Sequence, residues 1–196
     1  MSNDVPEYLL WFDFETTGLD RWTDVPIELA AVVTTASDLV EIDGYETLIW
    51  ADPVRVEGCA ARDMHAASGL LAAWQDAVNG LRRHDPRAPM QLIHMADALL
   101  CQMLDSLAIP IVTLAGSGVG TFDLPLIRAT MPALSTRLTY HVHDVGVMRR
   151  AYRRATGHDL TERTEPAHRA MADVQQSLTE GRAFAELFRA SSKAAW

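Results

Sequence analysis

Five side chains in this sequence are of the types, and at the spacings, that can hold cations and move a proton. Asp13 and Glu15 stand two residues apart in an apolar, aromatic run. As a strand, that run puts both carboxylates on one face and turns Phe12 and Phe14 to the other. Two carboxylates this close repel each other, and burial would force one to keep its proton. A divalent cation removes the conflict, and Mg²⁺ and Mn²⁺ prefer such hard oxygen donors, commonly shared with substrate phosphate. Asp-x-Glu is also common at solvated strand ends, so the pair acquires meaning only from what joins it.

Two further segments qualify. Asp123 closes the glycine-punctuated stretch Gly116-Ser-Gly-Val-Gly-Thr-Phe-Asp123, between a strand and a helix. That junction lies at the carboxyl edge of a sheet, where α/β proteins place ligands. The glycines do not form a dinucleotide fingerprint, because the third follows Gly118 too soon and the stretch comes too late in the chain. His168 and Asp173 lie at the start of the last helix, where one helix end can present a base and a cation ligand to one cleft. A lone histidine is ordinarily a hydrogen-bonded surface or core residue; His168 is singled out by its neighbours.

The elements that must position these groups are legible as alternating texture. Strands are expected over 8–14, 27–35 and 39–50, forming an antiparallel meander with Ser37-Asp38 as its hairpin turn. After Pro53 the chain reads as alanine-rich helix, broken near Ser68-Gly69 and through His84-Asp85-Pro86. A helix over 90–107 follows, with Leu92, Met95, Leu99, Met103 and Leu107 near helical spacing. Then come a strand over 111–115, a helix from about Phe122 to before Pro132, a strand over 138–143 and an arginine-rich helix over 145–155. The last helix is expected from near Pro166, carrying Met171, Val174, Leu178, Phe184 and Phe188. The pattern implies one α/β domain over 1–189, a mixed five-stranded sheet flanked by helices, and a frayed tail over 190–196.

Composition narrows the chemistry. The 196 residues are 48% hydrophobic and 22% charged, an ordinary globular balance, and no apolar run reaches the roughly 18 residues that span a bilayer. Residues 1–8 lack the basic start and apolar middle of a signal peptide. Cys59 and Cys101 are too few for a disulfide framework, so a reduced, cytoplasmic protein without a membrane partner is expected. A net charge of −9 excludes a general polynucleotide coat, which depends on a basic surface. It leaves room for a nucleic-acid enzyme whose cations cancel charge locally. Arg149, Arg150, Arg153 and Arg154 fall on one side of a helix, a pattern open to substrate phosphates or a partner but ordinarily that of a solvated face.

Taken together, Phe12-Asp-Phe-Glu-Thr-Thr-Gly-Leu19, Phe122-Asp-Leu-Pro-Leu-Ile127 and His168-x-x-x-x-Asp173 resemble the DEDD exonuclease superfamily. The branch is the one with histidine five residues before the last aspartate. The resemblance implies a ribonuclease H-like fold and 3'-to-5' removal of 5'-mononucleotides from single-stranded RNA or DNA. It implies two divalent cations, Mg²⁺ or Mn²⁺, held about 4 Å apart by Asp13, Glu15, Asp123 and Asp173, as two-metal sites do. His168 would then be the general base, a role matched to a group that ordinarily titrates near neutrality.

Finer residues are similar to oligoribonucleases, which degrade very short RNA: Thr16, Thr17, Gly18, Leu19 and Asp20, then Met64, His65, Ser68, Gly69 and Leu70, then Asp144-Val145. By that likeness Leu19 wedges beside the terminal bases, His65 and Ser68 lie near substrate, and Tyr140 reaches across a homodimer. Departures accompany the likeness. Ala60 stands where the family has an aromatic, His141 where it has an arginine that meets the 5' phosphate, and Gly146 where it has a serine. The second motif resembles proofreading and general DNA exonucleases instead. The expected activity is hydrolysis of short oligonucleotides with RNA favoured; a proofreading-type DNA exonuclease and a catalytically silent nucleic-acid-binding module are the rivals.

Overall fold

The aromatic run around Asp13 forms β1 (Tyr8–Thr16), an interior strand whose two faces are both covered. A computed structural model describes residues 7–20, 22–83, 90–162, 165 and 167–194. β1 pairs antiparallel with β2 (Pro26–Thr35), which pairs antiparallel with β3 (Glu41–Ile49), the expected meander. Three short helices follow: α1 (Pro53–Glu57), α2 (Arg62–Ala67) and α3 (Leu70–Arg82). The break at Ser68-Gly69 is where the sequence puts it, with Gly69 at φ 77°. The break at His84-Asp85-Pro86 falls outside the described residues.

The sheet has six strands, not five. The additional one is β4 (Met90–Gln91), which runs parallel to the end of β3, with Leu48 opposite Met90 and Ile49 opposite Gln91. These two residues read as the first turn of a helix because their apolar spacing continues into α4 (Ile93–Ser106). Leu92, extended at φ −73° and ψ 146°, separates strand from helix. A two-residue parallel pairing is fixed by a distant partner and leaves no local period to detect.

The remainder is β5 (Val112–Gly116), α5 (Asp123–Thr130), α6 (Pro132–Ser135), β6 (Leu138–Asp144), α7 (Val145–Thr156) and α8 (Ala170–Ala194). The strand order is β4-β3-β2-β1-β5-β6, with β1–β5 and β5–β6 parallel. The helix expected from near Pro166 begins at Ala170, and it extends to Ala194, into the segment read as a tail.

Helices cover both faces, and the alternation along β1 decides what each face meets. Leu10, Phe12 and Phe14 pack with Leu100, Leu104 and Ile127 from α4 and α5. Leu9 and Trp11 pack with Val145, Val174 and Leu178 from α7 and α8. Burying each such large side chain contributes about 1.5–3 kcal/mol. Asp13 and Glu15 share the parity of Leu9 and Trp11, so the carboxylates emerge on the α8 side. Gly181 lets α8 approach closely enough for this: a Cβ there would lie 2.4 Å from the Trp11 ring. A third cluster, centred on Trp74 and Ile27, seats α1–α3 at the end of the sheet beside the carboxylates.

Candidate active site

At the carboxyl end of β1 a cleft of about 670 Å³ opens between the strand, the α1–α2 connection and the approach to α8. Asp13, Glu15, Thr16, Gly18, Leu19, His168 and Asp173 line it, together with the apolar Phe14, Ala60, Ala61, Met64 and Phe122. Asp123 lies beneath, 3% exposed at the first turn of α5, where its Oδ1 accepts the Phe14 N–H at 3.1 Å. That bond ties the second motif to the backbone between Asp13 and Glu15. Ligand atoms of Glu15, His168 and Asp173 lie within 4.8 Å of one another. Asp173 Oδ1 accepts the Ala167 N–H at 3.0 Å.

The acids hold each other in a protonation conflict. Burial pushes the Glu15 carboxyl up to about 8, and the charges of Asp173 and Glu28 add to the shift. Burial likewise raises Asp123 to about 7, against the pull of the Phe14 N–H. Asp13 is raised well above the usual carboxylate range by burial and then by Asp123, Glu15, Asp173 and Glu28. Four converging carboxyl groups with this mutual repulsion are a donor set that fits divalent cations, which would discharge it.

The other expected residues divide. Thr16 is buried and its hydroxyl donates to the Gly18 carbonyl at 2.6 Å, while Thr17 donates to Asp24 Oδ1 at 2.8 Å. Both brace the turn that carries Leu19, which is 87% exposed at the cleft rim. Gly18 leaves room for the Asp24 carboxylate, from which a Cβ would lie 2.5 Å. His65 is fully buried behind the cleft: Nε2 donates to the Thr16 carbonyl at 2.7 Å, and Nδ1 faces Glu15 Oε2 at 3.8 Å. Burial lowers its pKa, so this ring supports the end of β1 as a neutral group. Ser68 serves the α2–α3 break, accepting the Leu70 N–H at 3.4 Å. Tyr140 is 88% exposed on the edge strand β6, outside the lining of the cleft.

Two residues of the site escape sequence reasoning. Glu28 faces Glu15 across the β1–β2 register, and Arg169 clasps it. The available signal was an acid between Ile27 and Leu29 in an otherwise apolar strand, a charge that must be partnered if buried.

An exonuclease family model (RNase_T) matches residues 10–53. Over 178 residues the chain is 32% identical to an oligoribonuclease of Cutibacterium acnes, covering 88% of this chain and 81% of that one. It is equally similar, 32% over 180 residues, to an oligoribonuclease of Mycobacterium ulcerans, covering 89% of this chain and 78% of that one. The chain belongs to the oligoribonuclease family. Within that family, among the DEDD 3'-to-5' exonucleases, the fold is shared more widely. Exonuclease I of Methylocaldum szegediense superposes with a TM-score of 0.61 at 18% identity, over 92% of this chain and 40% of that one. This oligoribonuclease-family chain thus spans about two fifths of the length of Exonuclease I.

Proposed function

We propose that this protein is a cytoplasmic, Mg²⁺- or Mn²⁺-dependent 3'-to-5' exonuclease that hydrolyses short single-stranded oligonucleotides, RNA favoured, to 5'-mononucleotides. The observation that carries the proposal is the meeting of Glu15, His168 and Asp173 within 4.8 Å, with Asp13 and Asp123 in electrostatic contact. Asp13, Glu15, Asp123 and Asp173 would hold the two cations. Bound there, divalent cations supply Lewis-acid stabilisation of charge on the scissile phosphodiester and acidify the attacking water. His168, which lines the cleft near Glu15 and Asp173, would serve as the base that takes the attacking water's proton. Leu19 presents an apolar edge at the rim, and Phe14, Met64 and Phe122 give the terminal base an apolar wall on which to pack.

The apolar wall favours an unstacked, single-stranded end over a duplex, because a paired base would first have to leave its stack. Hydrolysis rates on a labelled ribodinucleotide, a long RNA and a long DNA test the substrate class. The ribodinucleotide is expected to be cut fastest. Preference for long DNA would replace this reading with the proofreading type, and binding without hydrolysis of any of the three would replace it with the silent module.

The same proposal includes a homodimer in which Tyr140 reaches the neighbouring site. It is supported by the exposure of that ring on an edge strand, with only His141 set edge-to-face against it at 5.2 Å among the described aromatic pairs. Light scattering is expected to give twice the chain mass; a monomer at assay concentrations would remove Tyr140 from the site.

A further inference from the structure

The acid that the proposed chemistry leaves unused is Glu28. It stands on β2 directly opposite Glu15 and is 7% exposed. An ionised carboxylate has about four lone-pair directions. Glu28 accepts from three N–H groups: Arg169 Nε, shared between both oxygens at 3.1 and 3.2 Å, Arg169 Nη2 at 2.8 Å, and the Ala170 N–H at 2.9 Å. Three N–H donors thus engage both oxygens of Glu28. A guanidinium–carboxylate fork fixes direction as well as distance.

Both donors follow immediately after His168 in sequence. On the other side of His168, the Ala167 N–H is bonded to Asp173 Oδ1, and the Asp173 N–H returns to the Arg169 carbonyl at 3.0 Å. His168 is therefore held between two anchors, one on β2 and one on α8. Its backbone sits at φ 52°, in the left-handed region that a residue other than glycine occupies only when its surroundings over-determine it. A partly buried ion pair is weak grounds for stability, since desolvation offsets its attraction. Orientation is what this pair provides.

We propose that Glu28, acting through Arg169 and the first amide of α8, is a positioning residue that sets His168 against the cleft and so governs the chemical step. This rests on the reading of His168 as the base. Glu28→Gln keeps the size and one acceptor but gives up the charged fork; Arg169→Met keeps the stem and removes the guanidinium. Misplacing a reacting group by about 1 Å can cost on the order of 100-fold. Each variant is therefore expected to lower kcat on a short oligonucleotide by about 30- to 100-fold, with KM within about threefold of the parent. The double variant is expected to be no slower than the slower single one, because both substitutions break one clamp.

A kcat within about threefold of the parent in either single variant, or losses that multiply in the double, would overturn the proposal. Should Glu28→Gln fail to fold by circular dichroism, Arg169→Met carries the same comparison. A second readout does not depend on turnover. In histidine-labelled protein, the His168 ring resonance, assigned by its disappearance in His168→Ala, is expected to shift or broaden in both variants while that of His94, exposed on α4, stays put. An unmoved His168 resonance overturns the clamp whether or not oligonucleotides are cut. Failure of the exonuclease reading would show separately, as an inactive parent protein.

Discussion

Asp13→Asn is expected to yield a folded protein that no longer hydrolyses oligonucleotides in Mn²⁺. Asp13 occupies the centre of the acidic group: its carboxyl is raised by burial first, then by Asp123, Glu15, Asp173 and Glu28. A carboxyl so surrounded is one that the proposed cations would have to neutralise, and asparagine keeps its shape while removing the negative charge that would hold them. Losing a residue that merely supports a ligand costs about 10- to 100-fold in metal affinity or activity, so losing the ligand itself is expected to exceed that range. The same substitution relieves repulsion in the metal-free state. The melting temperature in chelator at neutral pH is therefore expected to equal or surpass that of the parent. Activity within about tenfold of the parent in Mn²⁺ would place Asp13 outside the metal set.

The second large effect is a pH dependence that metal ions abolish. Glu15 rises from 4.5 to about 8 and Asp123 from 3.8 to about 7 on folding. Acids whose folded-state pKa is raised bind protons more readily when folded than when unfolded. Their contribution to stability is present below about pH 4 and is lost as pH climbs through about 7 and 8. In chelator, the protein is expected to be more stable near pH 5 than near pH 8.5 by a few kcal/mol, an order of magnitude set by about 1.4 kcal/mol per pKa unit. At this chain length that corresponds to a fall in melting temperature on the order of 10 °C. Saturating Mn²⁺ is expected to erase most of the fall, because bound cations favour the ionised acids that repulsion otherwise penalises. Thermal unfolding at both pH values, with and without Mn²⁺, checks this; a chelated protein equally stable at both would mean that the acids do not converge in solution.

The residues proposed to carry this chemistry were legible in sequence wherever a short period defined them. The two-residue spacing of Asp13 and Glu15 within an aromatic strand fixes their common face, and β1 bears both on the side that meets α8. Asp123 was legible because a glycine-rich strand-to-helix junction has its own composition. What local reading misses is set by distant partners. β4 is two residues long and exists because Met90 and Gln91 lie beside Leu48 and Ile49. The Glu28–Arg169 pair joins residues 141 apart, and no periodicity connects them. His168, expected at the start of the last helix, instead precedes α8 in a left-handed bend, with hydrogen-bonded anchors on either side of it. His65, matched by likeness to a residue near substrate, is fully buried behind the cleft, where its ring bonds the Thr16 carbonyl at the end of β1.

Anomalous diffraction from crystals soaked in Mn²⁺ with a non-hydrolysable short oligonucleotide tests the central claim most directly. Two manganese peaks are expected among Asp13, Glu15, Asp123 and Asp173, with the terminal phosphodiester against them in the cleft that His168 lines. Manganese bound elsewhere, or an oligonucleotide whose phosphodiester lies away from these four carboxylates, would contradict it.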